Sequence, residues 1–136
     1  MCAIMIYSSG TGATKELFEA VSKRIEGSKV FSVSEVKPAD IEECDLIIIG
    51  SPTYFLKARE ELLNCLKNMK DFMKDKNVII IALYAIAGVE NNIKQIKDVL
   101  DNVNVLGEFK LKVLWFKKPN EDDVNSVLSF IKKLGG

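Results

Sequence analysis

A short apolar run, Ala3-Ile4-Met5-Ile6-Tyr7, breaks into a loop of hydroxyls and glycines, Ser8-Ser9-Gly10-Thr11-Gly12-Ala13-Thr14, and a helical pattern starts straight after it. Leu17, Phe18, Val21 and Ile25 recur at the spacing of one helix face, while the run before the loop has the pattern of a buried strand. The start of a helix carries unpaired N–H groups and a partial positive charge, so a loop placed there attracts an anion. Ser9, Thr11 and Thr14 add hydroxyl donors, and Gly10 and Gly12 let backbone amides approach closely. This chemistry favours a phosphate monoester held without an obligatory Lys or Arg. Without a ligand, the same stretch is a hydroxyl-rich strand-to-helix turn with Thr14 near the helix start.

The spacing excludes two commoner phosphate loops. A Walker loop needs Gly-Lys-Ser/Thr after its variable residues, and Gly12 is followed by Ala13 and Thr14. The dinucleotide fingerprint needs a third glycine where Lys15 stands, and no acidic residue is suitably placed at the end of the next strand.

The alternation continues along the chain. Residues 28–36 alternate apolar and polar as a partly exposed strand does, and residues 38–43 form a connection or short helix. Asp45-Leu46-Ile47-Ile48-Ile49-Gly50 is a third strand whose unbroken apolar run implies burial on both faces. A loop over residues 51–57 feeds a helix over residues 59–73. The run Val78-Ile79-Ile80-Ile81-Ala82-Leu83 is the next buried strand. Beyond Gly88, residues 89–100 turn Ile93, Ile96, Val99 and Leu100 inward as a helix. Residues 109–116, which include Trp115, supply a fifth strand. Pro119 breaks the chain, Asn120 caps the last helix, and Asp122 and Asp123 favour its first turn.

Five strands alternating with helices mean an α/β fold, a parallel sheet covered on both faces with right-handed crossovers. At 136 residues the chain suits a single domain spanning residues 1–136. Ligands of such sheets bind beyond the C-terminal strand edge, where the strand order reverses. The loops at that edge follow strands one, three and four, over residues 8–14, 51–57 and 84–89.

Composition narrows the chemistry further. Lys plus Arg equals Asp plus Glu at 19 each, so no net field recruits nucleic acid or an anionic membrane. The strand pattern begins at once, from which we expect no signal peptide, and no apolar run approaches the roughly 18 residues of a membrane span. Cys2, Cys44 and Cys65 form no Cys-x-x-Cys pair, which points to reduced thiols in the cytoplasm. The chain has no histidine, so hydrolytic triads and metal sites are not expected, and the chemistry falls to a bound cofactor. The charged run Lys57, Arg59, Glu60 and Glu61 opens a helix and has the look of a solvated face.

At this point the residues resemble a flavodoxin. Ser9-Gly10-Thr11-Gly12-Ala13-Thr14 is similar to that family's phosphate loop, and Gly50-Ser51-Pro52-Thr53-Tyr54-Phe55 is similar to its third-strand end and flavin loop. Order, spacing and length extend the resemblance over nearly the whole chain, and the unbroken fifth strand is similar to the short-chain form. Two positions differ. Leu56 stands where related GSPTYFG sequences carry glycine, and Tyr84-Ala85-Ile86 stands where a Tyr-Gly-Trp type sequence is found.

The resemblance implies a flavodoxin-like three-layer sandwich with a five-stranded parallel sheet of order 2-1-3-4-5, binding FMN noncovalently. By that carry-over Ser9, Gly10, Thr11, Gly12, Ala13 and Thr14 hold the phosphate. Pro52, Thr53, Tyr54 and Phe55 flank the isoalloxazine on one side, and Tyr84, Ala85 and Gly88 approach it on the other. The function implied is electron transfer between redox partner proteins, by a monomer or weak homodimer. Two other functions stand beside it: a small FMN-dependent quinone or NAD(P)H reductase, and a flavodoxin-like interaction domain that has lost FMN.

Overall fold

The computed structural model describes residues 2–8, 10, 12–113 and 118–135. The readings of Ser9, Thr11, Trp115 and the end of the fifth strand fall outside them. In chain order the elements are β1 (Ala3–Tyr7), α1 (Ala13–Ser22), β2 (Lys29–Ser32), α2 (Pro38–Glu42), β3 (Leu46–Tyr54) and β4 (Lys57–Ala58). Then come α3 (Glu60–Met69), a 3-10 turn (Lys70–Phe72), β5 (Asn77–Tyr84), α4 (Val89–Val99), β6 (Asn104–Lys112) and α5 (Glu121–Gly135).

The parallel strands lie side by side in the order β2-β1-β3-β5-β6. Numbered among themselves they follow the expected 2-1-3-4-5 arrangement. The strand count is corrected, because the sheet has six strands and β4 pairs only with β3. That pairing is antiparallel, Thr53 opposite Ala58 and Tyr54 opposite Lys57. The segment expected as a loop from Ser51 to Lys57 is therefore mostly strand. Ser51 and Pro52 continue the parallel ladder against Ala82 and Leu83, and the chain turns only at Phe55 and Leu56.

The unbroken apolar runs are explained by two cores, one on each face of the sheet. Ile47 and Ile49 join Ile4, Ile6, Ile80 and residues of α2, α3 and α4 on one face. Ile48 joins Met5, Ile79, Ile81 and residues of α1 and α5 on the other. Each such side chain contributes about 1.5–3 kcal/mol by leaving water, so a polar residue anywhere in these runs would be costly.

Boundaries shift where alternation fails in the sequence. β6 begins at Asn104, well before the expected residue 109. Its register slips where Val78 pairs with Val105 but Ile79 pairs with Gly107, leaving Leu106 as the extra residue of a bulge. The Asn120 cap is present, since the Asp123 amide donates to Asn120 Oδ1 at 2.9 Å and the Asn120 amide donates to Asp123 Oδ2 at 3.0 Å.

The cysteine reading is corrected in part. Cys2 and Cys44 form a disulfide, with Cα atoms 5.4 Å apart. The β1–β3 register sets Ala3 opposite Leu46, and so brings together two cysteines that are far apart in sequence. Cys65 on α3 is a free thiol, and its burial raises its pKa above the usual range. Among the described residues no helix is long and apolar enough to cross a membrane.

Candidate functional site

The C-terminal edge of the sheet brings together the ends of β1, β3 and β5. β1 runs out at Ser8, whose amide donates to the Gly50 carbonyl at 3.2 Å. After the loop, α1 starts from Gly12, which takes a left-handed conformation with φ 93° as N-cap. Its carbonyl accepts from the Glu16 amide at 3.0 Å, the first turn of α1. Thr14 lies in that turn, almost wholly buried, and its Oγ1 has no hydrogen-bond partner among the described residues. An unsatisfied buried hydroxyl costs about 1–3 kcal/mol. Packing explains the position of the side chain but not that orphan. Thr14 Cγ2 and Phe18 crowd Gly50, where a methyl group would lie 2.7 Å from Cγ2.

The β3–β4 hairpin forms the second part. Its turn residues Phe55 and Leu56 have φ of 50° and 67°, the left-handed pair of a type I′ turn, which ordinarily favours Asn-Gly. Their side chains are 93% and 61% exposed. Three polar residues of α4 hold the hairpin. Asn92, fully buried, accepts from Ser51 Oγ at 2.7 Å and donates to the Ser51 carbonyl at 3.2 Å and to Thr53 Oγ1 at 2.8 Å. Asn91 donates to the Leu56 carbonyl at 2.9 Å, and Gln95 accepts from the Ala58 amide at 2.8 Å.

Between this hairpin and the loop after β5 lies a cavity of about 250 Å³, lined by residues 53–56 and 85–87. Its walls are mainly apolar, and Ile86 is 81% exposed at its rim. A larger cavity of about 580 Å³ runs from Gly10 past Tyr54 to Lys57, Arg59 and Glu60. Tyr54 lines both. Its Oη stands against the loop, 2.6 Å from where a methyl group on Gly10 would be. The guanidinium of Arg59 covers its ring, 5.6 Å from the centroid.

Of the residues singled out from sequence, Gly10, Gly12, Ala13, Thr14, Thr53, Tyr54, Phe55 and Ala85 meet at this edge. Pro52 is buried within β3, Tyr84 packs partly buried on the core, and Gly88 begins α4 against the hairpin turn. Arg59 is half-buried and so departs from the expected solvated face, while Glu61 stays exposed but is engaged. Glu61 Oε1 accepts from the buried Ser8 Oγ at 2.7 Å and lies 3.1 Å from Arg59 Nη1. Asn92 was not legible as a site residue, although its spacing from Val89 and Ile96 sets a polar residue on an apolar helix face. That mismatch was the available signal.

A family model described as a flavodoxin domain matches residues 4–112. Among solved structures, a flavodoxin from the domain Archaea is 20% identical with a TM-score of 0.74, covering 100% of both chains. The two-electron reduced flavodoxin of Megasphaera elsdenii is 14% identical with a TM-score of 0.70, covering 94% of this chain and 98% of its own. A flavoprotein of Lactobacillus acidophilus NCFM, solved in complex with FMN, is 17% identical with a TM-score of 0.67, covering 80% and 92%. At these identities the structural likeness speaks for the fold alone. No curated protein sequence matches the chain.

Proposed function

Because the chain belongs to the flavodoxin domain family, we propose that it binds FMN noncovalently at this edge and carries electrons between redox partner proteins. The observation that carries the reading is Thr14 Oγ1, a buried hydroxyl in the first turn of α1 without a partner among the described residues. A phosphate oxygen at the start of this helix supplies the missing partner and meets the helix's positive end. Gly12, Ala13 and Thr14 would hold that phosphate, with Ser9 and Thr11 of the same loop. Thr53, Tyr54 and Phe55 would flank one side of the flavin ring, and Ala85 and its neighbours the other.

Bound flavin supplies reversible acceptance and release of electrons. The protein's part is to hold, orient and shield the ring. Asn92 and Asn91 fasten the hairpin, so that its wall is set before any ligand arrives. Phe55, Leu56 and Ile86 present exposed apolar side chains around the cleft, a surface suited to brief contact with a partner protein. This patch favours the carrier over a substrate-specific reductase.

Titration of apo-protein with FMN and with riboflavin tests the proposal. Several charge-assisted hydrogen bonds, each worth roughly 1.5–3 kcal/mol, are lost with the phosphate, so FMN is expected to bind at least about a hundredfold more tightly. Equal affinities would overturn the phosphate-loop assignment.

A further inference from the structure

We propose that Arg59 is a further anion-binding residue of this site, a cationic donor to the FMN phosphate beside a loop of neutral hydroxyls and amides. The inference rests on the FMN reading above and adds to it a residue outside the loop motif.

Among the described residues, two buried side-chain polar atoms have no hydrogen-bond partner, Thr14 Oγ1 and Arg59 Nη1. Both belong to this edge of the sheet. One side chain, Tyr54, spans from the loop to the guanidinium: its hydroxyl stands against Gly10, and Arg59 lies over its ring. Gly10, Tyr54 and Arg59 line one open cleft of about 580 Å³, so the loop at Gly10 and the guanidinium face the same space. A guanidinium that is already partly desolvated is the donor that gains most from an arriving anion.

Glu61 does not fill that role. Its Oε1 lies 3.1 Å from Arg59 Nη1, which balances charge, but Nη1 makes no hydrogen bond there. The same oxygen is engaged by Ser8 Oγ at 2.7 Å. Glu61 therefore positions Ser8 at the root of the loop and ion-pairs with Arg59 at Nη1, and the guanidinium's five N–H donors outnumber that one contact. A phosphate dianion provides oxygens of the right charge and geometry, and riboflavin has none.

The test is the FMN-to-riboflavin affinity ratio of apo-protein for wild type, Arg59→Met and Arg59→Lys. Loss of one charge-assisted hydrogen bond is expected to weaken FMN by about tenfold or more in Arg59→Met while riboflavin is unchanged. Arg59→Lys is expected to recover part of the ratio, since it keeps the charge but not the fork. Equal weakening of both flavins would show that Arg59 only props Tyr54, and would overturn the inference. So would a wild-type ratio in both variants. If Arg59→Met fails to fold, the ratio in Arg59→Lys decides: a reduced ratio supports the inference and an unchanged one overturns it. Equal binding of the two flavins by wild type is a separate result, which removes the phosphate-loop reading itself.

Discussion

The Cα of Leu56 packs against Gly88 so closely that a methyl group at Gly88 would lie 2.4 Å from it. This contact fixes the hairpin turn to the start of α4, and it offers a controlled comparison with Gly12. Both glycines begin helices, with φ of 92° and 93°, but a methyl group at Gly12 meets nothing within 4 Å. Gly12→Ala should cost only the left-handed strain, about 1–2 kcal/mol. Gly88→Ala should cost about 1–3 kcal/mol more, because backbone must move to admit the methyl group. Denaturant unfolding of the two variants measures the difference. Equal losses would mean that the hairpin turn yields without cost.

The turn itself predicts a stabilising change. Leu56 adopts φ 67° with its side chain 61% exposed, at a position suited to glycine. Leu56→Gly should relieve about 1 kcal/mol of strain and raise the melting temperature by roughly 3–6 °C. A lower melting temperature would show that Leu56 packing on Gly88 outweighs its strain.

Asn92 should prove the most sensitive polar residue of α4. Asn92→Leu leaves the buried Ser51 hydroxyl and carbonyl unmatched, at about 1–3 kcal/mol each, and frees the half-buried Thr53 hydroxyl. The expected loss of stability is about 2–5 kcal/mol, together with weaker FMN binding as the hairpin loosens. An unchanged denaturation midpoint would remove Asn92 from the support of the site.

Tyr54 has one ring face covered by Arg59, and on the proposed reading its other face stacks on the flavin. Stacking is worth about 0.5–1.5 kcal/mol beyond area burial. Tyr54→Ala should therefore weaken FMN by at least a few-fold and raise the residual fluorescence of the bound flavin. If affinity and fluorescence both stay as in wild type, Tyr54 serves only to pack against Gly10.

Much of this molecule was legible before folding was considered. Ile47 to Ile49 and Val78 to Leu83 announce a parallel sheet, because only strands buried on both faces tolerate unbroken apolar runs. The glycines and hydroxyls from Ser9 to Thr14, set between a strand and a helix, are the local chemistry on which the proposed anion loop rests. Other features depend on partners distant in sequence. The Cys2–Cys44 disulfide follows from the β1–β3 register, and β6 starts early because a bulge at Leu106 restores its pairing. Asn92, Arg59 and Glu61 looked like ordinary polar residues of two helices. Their roles exist only where α4 meets the hairpin and where the start of α3 meets Ser8 and Tyr54. Local periodicity and turn chemistry are written in neighbouring residues, so sequence determined the parallel sheet and the strand-to-helix loop, while the strand order came only with the resemblance. A buried hydrogen bond or a guanidinium laid over a ring is defined by what lies across the fold, so only the tertiary structure decided how this edge of the sheet is held.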